Sequence, residues 1–143
     1  MPLLTGIKRV FVDPGRGIRE TQARRDRIIG TVDDEYFRAL ARQMEVREGP
    51  SAIWEGLSKF YEDNRPALSQ YVELHVKLAE HKEFLYGSSR FATTNYILQM
   101  WNNVASFQSQ IRRESRKLGP KLKMNMSRVD SWITLALLDE FGS

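Results

Sequence analysis

From residue 31 onward the apolar residues of this chain recur at three- and four-residue spacing, the period of helices with one buried face. Val32, Tyr36, Phe37, Leu40, Ala41 and Met44 predict a helix from Val32 to about Arg47, with Thr31 as its N-cap. Its acidic first turn, Asp33-Asp34-Glu35, suits the positive end of the helix dipole. Gly49-Pro50-Ser51 closes that helix and caps the next, Ala52 to Asp63, which carries Ile53, Trp54, Leu57, Phe60 and Tyr61 on one face. Asn64-Arg65-Pro66 predicts a break, with the proline opening a helix from Ala67 to Tyr86 whose stripe is Leu68, Tyr71, Val72, His75, Leu78, Ala79 and Leu85. Gly87-Ser88-Ser89 marks a turn, and Thr93 or Thr94 caps a long helix to about Leu118. Ile97, Met100, Trp101, Val104, Phe107, Ile111 and Leu118 follow its core period, and Gly119-Pro120 stops it. Ser127 then caps a last helix, Arg128 to Phe141. Its run Trp132 to Leu138 is apolar almost all the way round, so it either fills the core or is shared with another subunit.

The first eighteen residues read differently. Pro2, Gly6, Pro14, Gly15 and Gly17 surround one extended-looking run, Ile7-Lys-Arg-Val-Phe-Val12, which describes an arm. A helix from Arg19 to Ile29 follows, with Gly30 in the position of a C-terminal cap. On a helical wheel Arg16, Arg19, Arg24 and Arg27 share one side and Ile18 and Ile29 the other, so the isoleucines would lie on protein and the arginines on phosphate. The expected fold is therefore all-α: an extended basic N-terminal arm and helix over residues 1–30, then a compact bundle of four to five helices over residues 31–143. A chain of 143 residues has room for one such domain. Its 41% hydrophobic and 28% charged content exclude wholesale disorder.

Charge sharpens the picture. The net +4 conceals a partition, with seven Lys/Arg against three acids in residues 1–30, seven against eleven in 31–86, and eight against four in 87–143. Basic flanks around an acidic middle point to a polyanion at the ends, or to subunits pairing basic blocks against acidic ones. In the second basic flank Arg112, Arg113, Arg116 and Lys117 occupy one broad helix face, and Lys121, Lys123 and Arg128 continue the charge, interrupted only by Glu114. Cations spaced along a fixed helix can contact successive phosphates and release counterions. A solvated helix end with cations at its dipole accounts for Arg116 and Lys117 but not for the arm. No zinc finger, RNA-recognition signature or helix-turn-helix stands out, so backbone contact is expected rather than sequence readout.

Chemistry of other kinds finds little purchase. The absence of cysteine excludes disulfides, thiolate nucleophiles and the usual structural zinc sites. His75 and His81 are six apart on one predicted helix and face different ways, so they form no helical metal pair. His75 reads as a hydrogen-bonded core histidine and His81 as a solvated one. Gly15-Arg-Gly17 is too short for a phosphate-binding glycine fingerprint. We identify no catalytic residue, metal site or cofactor site. No apolar run reaches the length of a membrane span and no secretory signal is evident, which predicts a virion or intracellular protein.

Val10-Phe-Val-Asp13-Pro-Gly resembles the first strand and catalytic aspartate of RNase-H-like nucleases, and Ser127-Arg-Val-Asp130-Ser-Trp-Ile-Thr-Leu-Ala-Leu-Leu138 resembles the closing acidic helix of phage packaging nucleases. That resemblance implies metal-bridging carboxylates at Asp13 and Asp130, but the strands it requires are replaced here by arginine-rich helix. The overall layout, an arginine-bearing arm and helix before a helical bundle with an apolar C-terminal helix, resembles the major coat proteins of filamentous archaeal viruses. The resemblance implies that Lys8, Arg9, Arg16, Arg19, Arg24, Arg25 and Arg27 face double-stranded DNA, with Arg112 to Arg128 a second contact or a contact between subunits. It also implies self-association into a helical tube, in some members with a related second coat protein. A small helical subunit of a CRISPR effector complex, supporting guide and target strands on basic helices, is the alternative from another class.

Overall fold

The structure, a computed structural model, describes residues 16–48 and 53–142. The arm over 1–15, with Lys8, Arg9 and Asp13, lies outside the described residues, as do the 49–52 junction and the side chains of Arg16, Met44, Ile53 and Trp54. Four helices succeed one another: α1 (Arg16–Glu48), α2 (Ile53–Gly87), α3 (Thr94–Leu122) and α4 (Met126–Phe141), with a 3-10 turn at Ser89–Phe91 between α2 and α3. Among the described residues there is no strand. The all-α bundle expected from the periodicity forms, and the strand framework of an RNase-H-like nuclease has no counterpart in the described residues.

The helices are fewer and longer than the punctuation of the sequence predicts. Gly30 does not cap a helix; it lies inside α1, and Thr31 does not open one but bonds its hydroxyl back to the Arg27 carbonyl at 2.9 Å. The reason is burial on both sides of the glycine, since Ile28, Val32, Tyr36 and Leu40 form one continuous buried stripe. That stripe also corrects the expected wheel: Ile28 is fully buried, Ile29 only partly, and Ile18 is 74% exposed.

Pro66 likewise sits inside α2. An interior proline costs about 3 kcal/mol. Here Leu57 before it and Leu68, Tyr71 and Val72 after it pack into the same core, so a break would pull one flank out of the apolar interior. Asn64, itself buried, donates to the Phe60 carbonyl at 2.9 Å within this stretch.

At its far end α3 passes through Gly119-Pro120 and gains one more turn, which buries Leu122 completely. Lys123 then takes the left-handed conformation (φ 53°, ψ 45°), and Met124 N–H donates to the Gly119 carbonyl at 3.1 Å. This is the helix-terminating geometry glycine usually supplies. Thr93 caps α3 as expected, accepting from Tyr96 N–H at 3.2 Å. The cap of α4 is Asn125 rather than Ser127, because the Asn125 side chain accepts the Ser127 N–H at 2.9 Å.

The helices alternate in direction. Arg24 reaches Glu83 while Tyr61 and Arg65 reach Asp33, so α1 and α2 are antiparallel. Arg27 meets Glu140 and Gln43 meets Met124, so α4 runs antiparallel to α1 and parallel to α2. One core unites α1, α2, the end of α3 and α4; a smaller cluster of Leu85, Met100 and Val104 joins α2 to the start of α3. Trp101, expected in the core, is 42% exposed because, among the described residues, α2 alone packs along that half of α3. The α4 helix divides in the same way: Val129, Ile133 and Ala136 are buried, while Leu135 and Leu138 face outward at 63% and 50% exposure.

Gly30 provides a test of the uninterrupted first helix. A Cβ built there meets nothing within 4 Å. Gly30→Ala is expected to stabilise the chain by about 0.5 to 1 kcal/mol in urea unfolding, because alanine loses less backbone entropy in a helix interior. A glycine serving as a left-handed cap would give the opposite sign.

Candidate nucleic-acid interface

The two basic segments meet different surroundings. In α1, Arg24 bonds Glu83 through both terminal nitrogens at 3.3 Å, and its guanidinium lies 3.9 Å from the centre of the Phe141 ring. Arg25 bonds Glu80 at 2.6 and 3.0 Å, and Arg27 bonds Glu140 at 2.6 and 2.9 Å. These are planar forks matched to carboxylates, the strongest class of exposed ion pair. Hydrogen bonding to Glu80 raises the Arg25 pKa, and hydrogen bonding from Arg27 lowers that of Glu140. Basic residues of the first block thus pair with acids of the middle and the C-terminus inside a single chain. Arg19 and Glu20 also have interactions within the chain.

The second segment is matched far less. Arg112, Arg113, Arg116, Lys117, Lys121, Lys123 and Arg128 are all exposed. Among the described residues only Lys117 has a carboxylate within 4 Å, Glu114 at 3.8 Å, an exposed pair of the kind worth about 0 to 1 kcal/mol. Arg112 reaches the Ser109 hydroxyl, while Lys123 and Arg128 lie over the rings of Phe60 and Trp132 at 4.8 and 5.7 Å. Arg113, Arg116 and Lys121 have no ion-pair partner among the described residues. These exposed cations are spread over the last turns of α3, the α3–α4 turn and the start of α4.

That corner is held from beneath by α1. Tyr36, fully buried, donates its hydroxyl to the Leu122 carbonyl at 3.1 Å, and Gln43 donates to the Lys123 carbonyl at 3.2 Å. Helix C-termini leave carbonyls without intrahelical partners, and these two bonds satisfy such groups while fixing where the turn lies. Burial pushes the Tyr36 phenol far above its ordinary value, so it remains a donor.

No protein-family model, curated protein or solved structure matches this chain. Its own geometry carries the reading. Beside the cationic corner an open groove of about 520 Å³ runs between α2 and α3, lined by Gln70, Lys77, Gln110, Lys117 and Lys121 together with Glu73 and Glu114. Its charges are mixed, and Lys77 is already paired with Glu73 at 3.5 Å. Among the described residues no group of three or more His, Asp or Glu could hold a metal ion. No helix of the described residues is long and apolar enough to cross a membrane.

The histidines differ from expectation. His81 is not simply solvated: its Nδ1 lies 2.8 Å from the Lys77 carbonyl, and its ring meets Phe107 edge-on at 5.0 Å in the α2–α3 seam. His75 is largely buried, but its Nε2 has no hydrogen bond and stands 3.8 Å from the Asp130 carboxylate, which accepts from Tyr71 at 2.7 Å. Desolvation lowers the His75 pKa, and the nearby Asp130 only partly opposes it. The unfolded chain therefore binds a proton near pH 6.5 that the folded chain refuses. Stability is fully present above that pH and is lost as the pH falls through the folded His75 pKa. Thermal unfolding between pH 7 and 5 is expected to show this decline, and His75→Gln to flatten it.

Proposed function

We propose that this chain is a non-enzymatic structural protein that binds the backbone of nucleic acid, double-stranded DNA in the first instance, and packages it in an assembly of many copies. The observation that carries this reading is the cationic corner of α3 and α4, where six of seven basic side chains have no carboxylate partner among the described residues. Cations on a helix end that hold no carboxylate are available to phosphates without breaking an ion pair. The arginines of α1 stand differently, because a phosphate engages Arg24, Arg25 or Arg27 only by displacing Glu83, Glu80 or Glu140.

The main contact is accordingly assigned to Arg112, Arg113, Arg116, Lys117, Lys121, Lys123 and Arg128. The arm residues Lys8 and Arg9 act as an auxiliary contact, as in the coat proteins that the layout resembles. Absence of base-reading elements fits packaging, in which affinity comes from charge and carries no sequence information.

Binding to a mixed-sequence duplex, titrated with salt, tests the assignment. Arg113→Gln/Arg116→Gln/Lys121→Gln is expected to weaken binding at least about tenfold and to reduce the salt slope by about 2 to 3, at roughly 0.9 per lost phosphate contact. A variant lacking residues 1–15 retains most of its affinity. Equal slopes for wild type and the triple variant refute the corner. Electron microscopy of protein mixed with duplex is expected to show filaments, and dispersed particles alone refute packaging.

A further inference from the structure

The outer face of α4 has no partner among the described residues, and its composition is ordered along its length. Arg128 and Asp139 are eleven residues apart, about three turns, so they lie on the same side of the helix. Both are exposed, and neither has a carboxylate or cationic partner among the described residues; Arg128 rests only on the Trp132 ring. Between them on that side stand the exposed Ser131 and Leu135, the latter 63% exposed, with the half-exposed Leu138 on the flank. The stripe thus carries a cation at its N-terminal end, a serine and a leucine in between, and an anion at its C-terminal end.

A surface of this kind is complementary to itself. Turned end over end about a two-fold axis between residues 133 and 134, the same stripe presents Asp139 to Arg128 and Arg128 to Asp139, and brings Leu135 of each copy within about one turn of the other. Parallel pairing would oppose like charges. We propose that α4 is a homotypic docking surface, in which two copies of the chain pair their α4 helices antiparallel across Leu135, with Arg128 of each copy facing Asp139 of the other. The inference concerns the assembly contact and stands or falls without nucleic acid.

The paired helices are short, about 24 Å each at 1.5 Å per residue, so this contact alone falls below the standard interface size. It is expected to form a weak, reversible dimer, in keeping with a contact used many times in one assembly. Sedimentation equilibrium of the full chain up to millimolar concentration, without nucleic acid, is the test. Wild type is expected to dimerise. Leu135→Glu and Asp139→Arg are each expected to weaken dimerisation at least about tenfold, the first by placing charge at the apolar centre and the second by opposing two arginines. Arg128→Asp/Asp139→Arg restores it, because the swapped pair has the same complementarity. Circular dichroism checks that each variant folds, as expected for exposed positions. A wild type that stays monomeric, a Leu135→Glu variant that dimerises like wild type, or a double variant as weak as Asp139→Arg overturns the proposal.

Discussion

The hydrogen bond from the Tyr36 hydroxyl to the Leu122 carbonyl joins the first helix to the end of the third, and the placement of the cationic corner depends on it. The carbonyl belongs to the last turn of α3, where no intrahelical donor exists, and the surrounding Leu122, Met124 and Val129 exclude water. Left unmade, such a bond costs about 1 to 3 kcal/mol. Made, it also sets a geometric condition. The phenol must project from a buried stripe of α1 at the depth of the α3–α4 turn, so α1 must run unbroken past Gly30 and lie in register on α2. Gln43, two turns further along α1, repeats the arrangement at the Lys123 carbonyl. The left-handed Lys123 and the extra turn past Pro120 become tolerable because two side chains of another helix receive the chain there.

Register along α1 is fixed at its other end by charge. Arg24 and Arg25 meet Glu83 and Glu80 on α2, and Arg27 meets Glu140 on α4. Buried apolar stripes alone tolerate a shift of one helical turn, since Ile28, Val32, Tyr36 and Leu40 repeat at that spacing. Three forked ion pairs to two different helices do not. A slip would also leave Asp33 without Tyr61 and Arg65 in an apolar seam, where an unpaired carboxylate is costly. The partition of charge along the sequence is, for the first block, a device of folding.

How legible this was from the sequence depended on the range of the interaction. Buried faces follow from local periodicity, and Leu57, Leu68, Tyr71, Val72, Met100, Val104 and Leu118 lie where the pattern puts them. The breaks at Gly30 and Pro66 did not follow, because tertiary packing on both flanks outweighs a local penalty of a few kcal/mol. The cap at Asn125 was missed by two residues, since Ser127 is as good a capping residue by type and only the backbone path selects between them. For the site, composition located the cations of α3 but not their isolation. Whether an arginine has a glutamate opposite is a property of helix pairs: Arg24 and Arg116 look alike in sequence and differ only in what packs beside them. The unequal charge blocks were a signal of pairing, without saying that the pairing closes within one chain.

Arg128 links the corner to the outer face of α4 and constrains how the two proposed contacts coexist. It stands in the first turn of α4, five residues after Lys123, and its guanidinium is held over Trp132. Facing Asp139 of a second copy, it is withdrawn from phosphate; facing phosphate, it leaves Asp139 unmatched. Any competition appears equally in both directions, since coupling between two binding events is reciprocal. Arg112, Arg113, Arg116 and Lys121 lie on α3 and stay free in either case, so pairing would reduce the charge offered to nucleic acid by one cation per chain and leave most of the corner intact. The aromatic seat of Arg128 suits this role, because it holds the guanidinium over Trp132 without committing it to an acid among the described residues.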